Sequence, residues 1–287
     1  MTEGKEHPQT WHYGLVARWW AEFNVATPQE LAFFQRAISQ FGEPALDLCC
    51  GTGRLLIPLL GAGVDVDGCD ISADMIAYCR YNAEKLGLSP SLNVQAAHEL
   101  TPSRPYGAIF ICDSFGLGGN RHNDAAALRR CHEALLPGGA LVFNYYPPYA
   151  NKDRWRYWPV RGRRDLPEEW PQKSLRRTAA DGDDIELHTR VLNFDPLAQR
   201  MTIEIKASLI RGGVVIAEER RTMQSSLYFY QELLMLLSSA GFSDVRVFAD
   251  YEEKSISSDS NMFVFIARAW EPSYLLRGTT AHTMEDL

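Results

Sequence analysis

Short apolar runs alternate with helix-spaced patterns through the first half of the chain. Runs at about 45–49, 64–69, 92–96, 107–112 and 140–144 are too short for helices and are bounded by Gly, Pro or polar residues, which predicts buried strands. Between them, about 53–62, 72–87 and 124–136 read as helices. Ser72 is the expected cap of the second, Gly87 closes it, and Pro137-Gly138-Gly139 ends the third. Two helices precede the first strand. One is aromatic, over 11–24; the other opens at Thr27-Pro28-Gln29-Glu30, a capping box with proline at the first helical position, and runs to about Phe41. Such β-α-β-α alternation predicts a mainly parallel sheet with helices on both faces.

After Pro147 the pattern changes. An aromatic, arginine-rich stretch leads into three period-two runs at about 185–194, 201–210 and 214–223, separated by Asp195-Pro196 and Gly212-Gly213. They predict a small antiparallel sheet inserted after the fifth strand. A helix over 228–240 ending at Gly241, and strands at 244–249 and 262–268, complete the main sheet. The expected division is a core of 10–146 plus 225–270, an insertion of 147–224 and a loose tail of 271–287.

Composition narrows the class. With 287 residues, 46% of them hydrophobic, the chain has ample core for one or two domains. No apolar run approaches membrane-spanning length, and the polar residues 1–8 do not form a secretory signal. Six cysteines, Cys49, Cys50, Cys69, Cys79, Cys112 and Cys131, lack metal-ligand or disulfide-framework spacing, so reduced thiols in a cytoplasmic protein and no metal are expected. The formal charge of −7 argues against a nucleic-acid partner. Residues 151–177, however, hold nine Lys/Arg against four Asp/Glu.

The chemistry gathers at Ala45-Leu46-Asp47-Leu48-Cys49-Cys50-Gly51-Thr52-Gly53-Arg54. A strand, a glycine turn and an apolar helix let a ligand approach the backbone closely. The dinucleotide fingerprint is incomplete, because counting from Gly51 the third position is Gly53 but the sixth is Leu56. Asp47, Gly51 and Gly53 instead resemble the acidic-x-Gly-x-Gly-x-Gly loop of class I S-adenosylmethionine (SAM)-dependent methyltransferases. Cys49 stands where that family has its first glycine, which predicts an ordinary negative φ there. Downstream, Asp70 ends the second strand, Leu135-Leu136-Pro137-Gly138-Gly139 is similar to the family's turn before the fifth strand, and Leu236-Leu237-Ser238-Ser239-Ala240-Gly241-Phe242 is like its helix ending. Together these cover about 10–146 and 225–270. Glycine turns and capping aspartates also occur in any α/β protein, so the order and spacing carry the resemblance.

The resemblance implies a Rossmann-like, seven-stranded, mostly parallel sheet, with SAM as cofactor and S-adenosylhomocysteine (SAH) as product. It assigns Asp70 to the ribose hydroxyls and extends the cofactor site to Tyr13, Trp20, Asp47, Gly51, Gly53, Ile71, Met75, Ala97, His98 and Asp113. Ala96 replaces the acid that many relatives carry on the third strand. Asp113 is equally readable as a turn former, and Tyr146-Pro147-Pro148-Tyr149 lies after the wrong strand to be the amino-methylating tetrapeptide. Tyr13, His98 and His122 are the candidate catalytic groups; both histidines are also readable as solvated. Trp19, Ser114, Tyr145, Tyr149, Trp155 and Trp158 are the candidate acceptor pocket, or alternatively core of the insertion. The expected partner is a small aromatic or heteroaromatic acceptor such as an indole, with N-, C- or O-methylation undecided and a homodimer left open. A nucleic-acid methyltransferase using 151–177, and a catalytically silent SAM-binding subunit, remain the alternatives.

Overall fold

The computed structural model describes residues 10–269. The expected loose tail lies outside them. A seven-stranded sheet is built from β1 (Ala45–Leu48), β2 (Val66–Asp70), β3 (Leu92–Val94), β4 (Tyr106–Ile111), β5 (Leu135–Tyr145), β10 (Phe242–Ala249) and β11 (Phe263–Ala269). Strands β6 (Leu175–Thr178), β7 (Asp184–Asp195), β8 (Arg200–Arg211) and β9 (Val214–Ser226) form a second sheet. The helices are α1 (Gly14–Phe23), α2 (Pro28–Phe41), α3 (Leu56–Gly61), α4 (Ala73–Glu84), α5 (Arg121–Ala134), α6 (Lys152–Trp155) and α7 (Tyr230–Ser239).

In the large sheet the order is β10-β11-β5-β4-β1-β2-β3. β1 to β5 pair in parallel, and β11 runs antiparallel to both β5 and β10. Strand periodicity separates two cores. Leu46, Leu48, Ile109, Ile111 and Phe143 face Leu128, Leu233 and Leu237 of α5 and α7. Ala45, Ala108, Phe110 and Val142 face Phe33, Phe34, Leu56 and Leu59 of α2 and α3. The chain order reverses between β1 and β4, so a crevice opens where their carboxyl ends diverge.

The predicted elements recur with local differences. Thr27 accepts from the Glu30 N–H and Glu30 returns the bond to Thr27, so the capping box is present. The first helix begins at Gly14 rather than residue 11, because Tyr13 is extended and carboxylates from elsewhere meet the free N–H groups: Asp74 accepts from Gly14 at 2.7 Å and Glu219 from Leu15 at 3.2 Å. Asn120, rather than Asp124, starts α5 by accepting from the Asn123 N–H. Pro137-Gly138-Gly139 does not end that helix; it bulges within the lead-in of β5, between the pairs Tyr106–Leu135 and Ala108–Ala140.

The four-stranded sheet, ordered β6-β7-β8-β9, is wholly antiparallel. Its apolar face receives α1, through Val16 and Trp19 against Ile185, Leu187, Ile205 and Ala207. At its base the Ser226 N–H donates to Gly116 O at 2.7 Å, and Arg121 of α5 binds Ala198 O, Gln199 Oε1 and Leu227 O. The insertion is thereby held over the loop that follows β4.

Candidate functional site

The turn after β1 is built by three left-handed residues, Cys49 (φ 67°), Gly51 (φ 55°) and Gly53 (φ 87°). The negative φ expected at Cys49 is therefore wrong. The thiol side chain takes the strained conformation that the turn demands, one that costs about 1–2 kcal/mol for a residue bearing a Cβ. The two glycines serve different ends. A Cβ at Gly53 would lie 2.7 Å from Cys79 Sγ and 2.8 Å from Ile57 Cδ1, so this glycine lets the turn pack onto α3 and α4. A Cβ at Gly51 would meet no protein atom within 4 Å, and Gly51 lines a cavity, so that space is free for a ligand.

Asp70 braces this turn against β2. Its Oδ2 accepts from the Gly51 N–H at 2.9 Å and its Oδ1 from the Ser72 N–H at 2.8 Å. Burial raises the Asp70 carboxyl, and the two backbone N–H bonds oppose that rise. Asp47, on β1 beneath the turn, is pushed up to about 8 by burial, with Arg54 pulling the other way.

The cavity, about 530 Å³, lies in the crevice at the sheet's switch point and is of the size used for cofactors and small ligands. Trp20, Asp47, Gly51, Asp70, Ile71, Met75, Ala97, His98, Asp113 and Ser114 line it. Tyr13 stands behind the lining: it is buried, and its hydroxyl donates to Ile71 O at 3.4 Å. Other sequence candidates lie elsewhere. His122 is exposed on the first turn of α5. Trp19 packs between α1 and the second sheet. Tyr145 is buried, donating to Ser226 O and accepting from the Tyr228 N–H. Trp155 meets Phe229 edge-on and Trp158 lies tilted against it, and Trp155 and Tyr149 are 43% and 40% exposed. Most of the expected aromatic pocket is therefore packing within and beside the insertion.

In its place the cavity wall offers Phe115, in the stretch after the fourth strand that the sequence places at the transfer centre, and His12, Asn123, Asp124, Arg200 and Gln224, which the sequence pattern does not mark as site residues. His12 is pushed down to about 4 by burial and is neutral, with Nδ1 2.6 Å from Thr10 Oγ1 and Nε2 accepting from Trp11 Nε1 at 3.1 Å. Beneath the β4 end sits an ionic cluster in which Glu30 and Cys112 are buried, Arg54 is partly buried and Asp113 is exposed. Arg54 binds Glu30 Oε2, Cys112 Sγ (3.1 Å) and Asp113 Oδ2 (3.0 Å). Cys112 and Tyr251 each donate to Glu30 Oε1, and Asn144 clamps Asp113 in its left-handed conformation through bonds of 2.6 and 2.7 Å. The donor atoms of Glu30, Cys112 and Asp113 converge within 4.8 Å, and the cation they gather around is the Arg54 guanidinium.

Asp70 and Gly51 fit a nucleoside: a buried carboxylate fixed by backbone N–H groups for the ribose hydroxyls, beside backbone left bare for close approach. The indole Nε1 of Trp20 adds a buried donor with no partner among the described residues.

Comparison with known proteins agrees with this fold. Residues 45–139 match the family described as "Methyltransferase domain". A ubiquinone biosynthesis O-methyltransferase of Methylococcus capsulatus is 26% identical over 133 residues, 44% of this chain and 56% of that protein. The match thus spans little more than half the length of that relative. A SAM-dependent methyltransferase from Clostridium acetobutylicum superposes with a TM-score of 0.67 at 16% identity, covering 86% of this chain and 93% of that one. The CcbJ methyltransferase of Streptomyces caelestis gives 0.65 at 21%, covering 90% and 100%. At these identities the likeness establishes the Rossmann-like methyltransferase fold.

Proposed function

We propose that this chain, whose residues 45–139 carry a methyltransferase domain, is a SAM-dependent methyltransferase acting on a small molecule. The observation that carries the reading is the Asp70–Gly51 bond in a cavity at the switch point of the sheet. Asp70 would accept from the ribose, with Ala97 and His98 on the adenine side and Trp20, Asp47 and Gly51 at the methionyl end. When bound, SAM supplies a methyl group on a positively charged sulfur, open to in-line displacement.

The chain's own work is then positioning and exclusion of water, which together supply about 7–11 kcal/mol in well-oriented reactions. The second sheet is docked at Gly116 and sends Arg200 and Gln224 into the cavity wall, so it closes the acceptor side and serves as the acceptor lid. This enclosure favours a small acceptor over a polynucleotide. Trp20 and Phe115 offer flat apolar walls for an aromatic or heteroaromatic ring. Of the titratable candidates, His98 is the one at the wall with accessible imidazole, its Nε2 4.0 Å from Glu99 Oε1. Its use as a base is required only when the acceptor must lose a proton as the methyl arrives.

Isothermal calorimetry with SAM and SAH, followed by methyl-labelled SAM and a panel of aromatic amines, phenols and indoles, tests the proposal. Micromolar SAH binding and label transfer to at least one class are expected. Absence of SAM and SAH binding by the folded protein overturns it.

A further inference from the structure

We infer that the acceptor carries a carboxylate and that Arg200 and Gln224 of the second sheet receive it. The inference rests on the methyltransferase reading and names the substrate class for the same site. Strand register pairs Arg200 with Ser226 and Thr202 with Gln224. Arg200 and Gln224 are therefore diagonal neighbours on one face of the β8–β9 ladder, close enough for long side chains to act together. Both line the cavity. Ser226 is bonded to Gly116, in the loop after β4, whereas Asp70 ends β2 on the other side of β1. The pair thus stands across the crevice from the Asp70 carboxylate, on the side left for the acceptor.

The other ionic side chains of the cavity wall have partners. Arg54 is committed to Glu30, Cys112 and Asp113. Asp113 also accepts from Asn144 Nδ2, and Asp124 accepts from Tyr228 Oη at 2.7 Å and the Gly118 N–H at 3.3 Å. Asp70 is held by two backbone donors, and Asp47 accepts from the Leu56 N–H. Arg200, by contrast, makes no side-chain hydrogen bond or ion pair among the described residues, although it is only partly exposed. Asp195, its cross-strand neighbour, feels its charge from outside ion-pair distance and spends Oδ1 on the Leu197 and Ala198 N–H groups. The Gln224 amide likewise has no partner among the described residues. A guanidinium cannot shed its proton, so a partly desolvated one with no hydrogen-bond partner among the described residues is suited to receive an anion. Its planar fork matches a carboxylate through two parallel bonds, and the Gln224 amide supplies a third donor.

The test uses SAH-loaded full-length protein and two probes of the same shape, benzoate and benzamide, by calorimetric or NMR titration. In the wild type benzoate is expected to bind at least tenfold more tightly than benzamide. In Arg200→Gln the ratio should fall below threefold with SAH affinity unchanged, and Arg200→Lys should recover part of it. Gln224→Leu, which leaves the charge in place, should weaken benzoate severalfold and keeps the test open should Arg200→Gln fold poorly. Equal binding of benzoate and benzamide to the wild type overturns the inference, as does inorganic phosphate displacing benzoate at equal concentration, which would reassign the oxyanion. Failure of the wild type to bind SAH would instead defeat the methyltransferase reading itself.

Discussion

Replacing Asp70 by asparagine keeps the shape of the side chain and removes both its charge and one acceptor. In the native turn the two carboxylate oxygens each hold a backbone N–H, Gly51 at 2.9 Å and Ser72 at 2.8 Å. An amide has one acceptor oxygen, so one of these buried donors would face an NH2 group, at a cost to folding of about 1–3 kcal/mol. The ligand loses separately. Charge-assisted bonds to the ribose hydroxyls are worth about 1.5–3 kcal/mol, which corresponds to an SAH affinity lowered roughly 10- to 100-fold. Calorimetry on Asp70→Asn, with circular dichroism and urea unfolding in parallel, separates the two effects. The wild type should also lose affinity on acidification, as the burial-raised Asp70 carboxyl takes up a proton, and the variant should lack that acid limb. An SAH affinity within threefold of wild type, alongside a lowered urea midpoint, would refute the reasoning. Asp70 would then be a brace for the turn and not a ligand to the cofactor.

Asp47 makes a pH prediction for stability. Its folded-state value of about 8 lies above the ordinary ~3.9, so between those values the native state holds a proton that the unfolded chain has released; stability then falls as pH rises through that window, by at most about 1.4 kcal/mol per unit. Urea titrations from pH 5 to 9 should show this slope flattened in Asp47→Asn, and an unchanged slope would contradict the assignment. Glu30→Ala leaves the 12%-exposed Arg54 guanidinium with the half-exposed Asp113 as its one remaining anionic partner among the described residues, and should cost about 1–3 kcal/mol by chemical denaturation. A loss below about 1 kcal/mol would mean that water reaches Arg54. His122→Ala, exposed and outside the cavity, should leave turnover within about threefold, and a hundredfold loss would restore it as a base.

The sheet was legible because β1, β2 and β4 are buried at every position, and β4 carries no charged residue and β1 only Asp47, a signal that needs no partner to be read. β6 escaped notice because Leu175-Arg176-Arg177-Thr178 is an exposed edge strand with no buried alternation. The half of the site proposed for the cofactor was legible for a related reason: a strand, a glycine turn and the acid ending the next strand are local in sequence. The other half was not. Glu30 reads as a helix cap and serves as one, yet its carboxylate also anchors Arg54 and accepts from Tyr251, 221 positions away. Arg200 and Gln224 sit in ordinary period-two strands, and only the docking of Ser226 on Gly116 turns that end of the hairpin into the crevice. The aromatic residues misled because abundance says nothing of direction. Trp19 and Trp158 spend their surfaces attaching the insertion and its neighbours, and Trp155 leaves part of its ring to solvent.

That attachment has a consequence for how such a protein changes over generations. Tyr145, where the chain leaves the large sheet, bonds through its hydroxyl to Tyr228, 83 positions later, where it returns. The excursion is knotted off at its root, so its length is nearly invisible to the rest of the molecule: each doubling of a flexible connection adds only about 0.6 kcal/mol of closure entropy. Turns such as Gly212-Gly213 can gain or lose residues, and the strands beside them can be rewritten, while the large sheet keeps its shape. Changes of length and sequence would thereby be tolerated first in the second sheet, and on the proposed function such changes would alter the acceptor side while leaving the cofactor side intact.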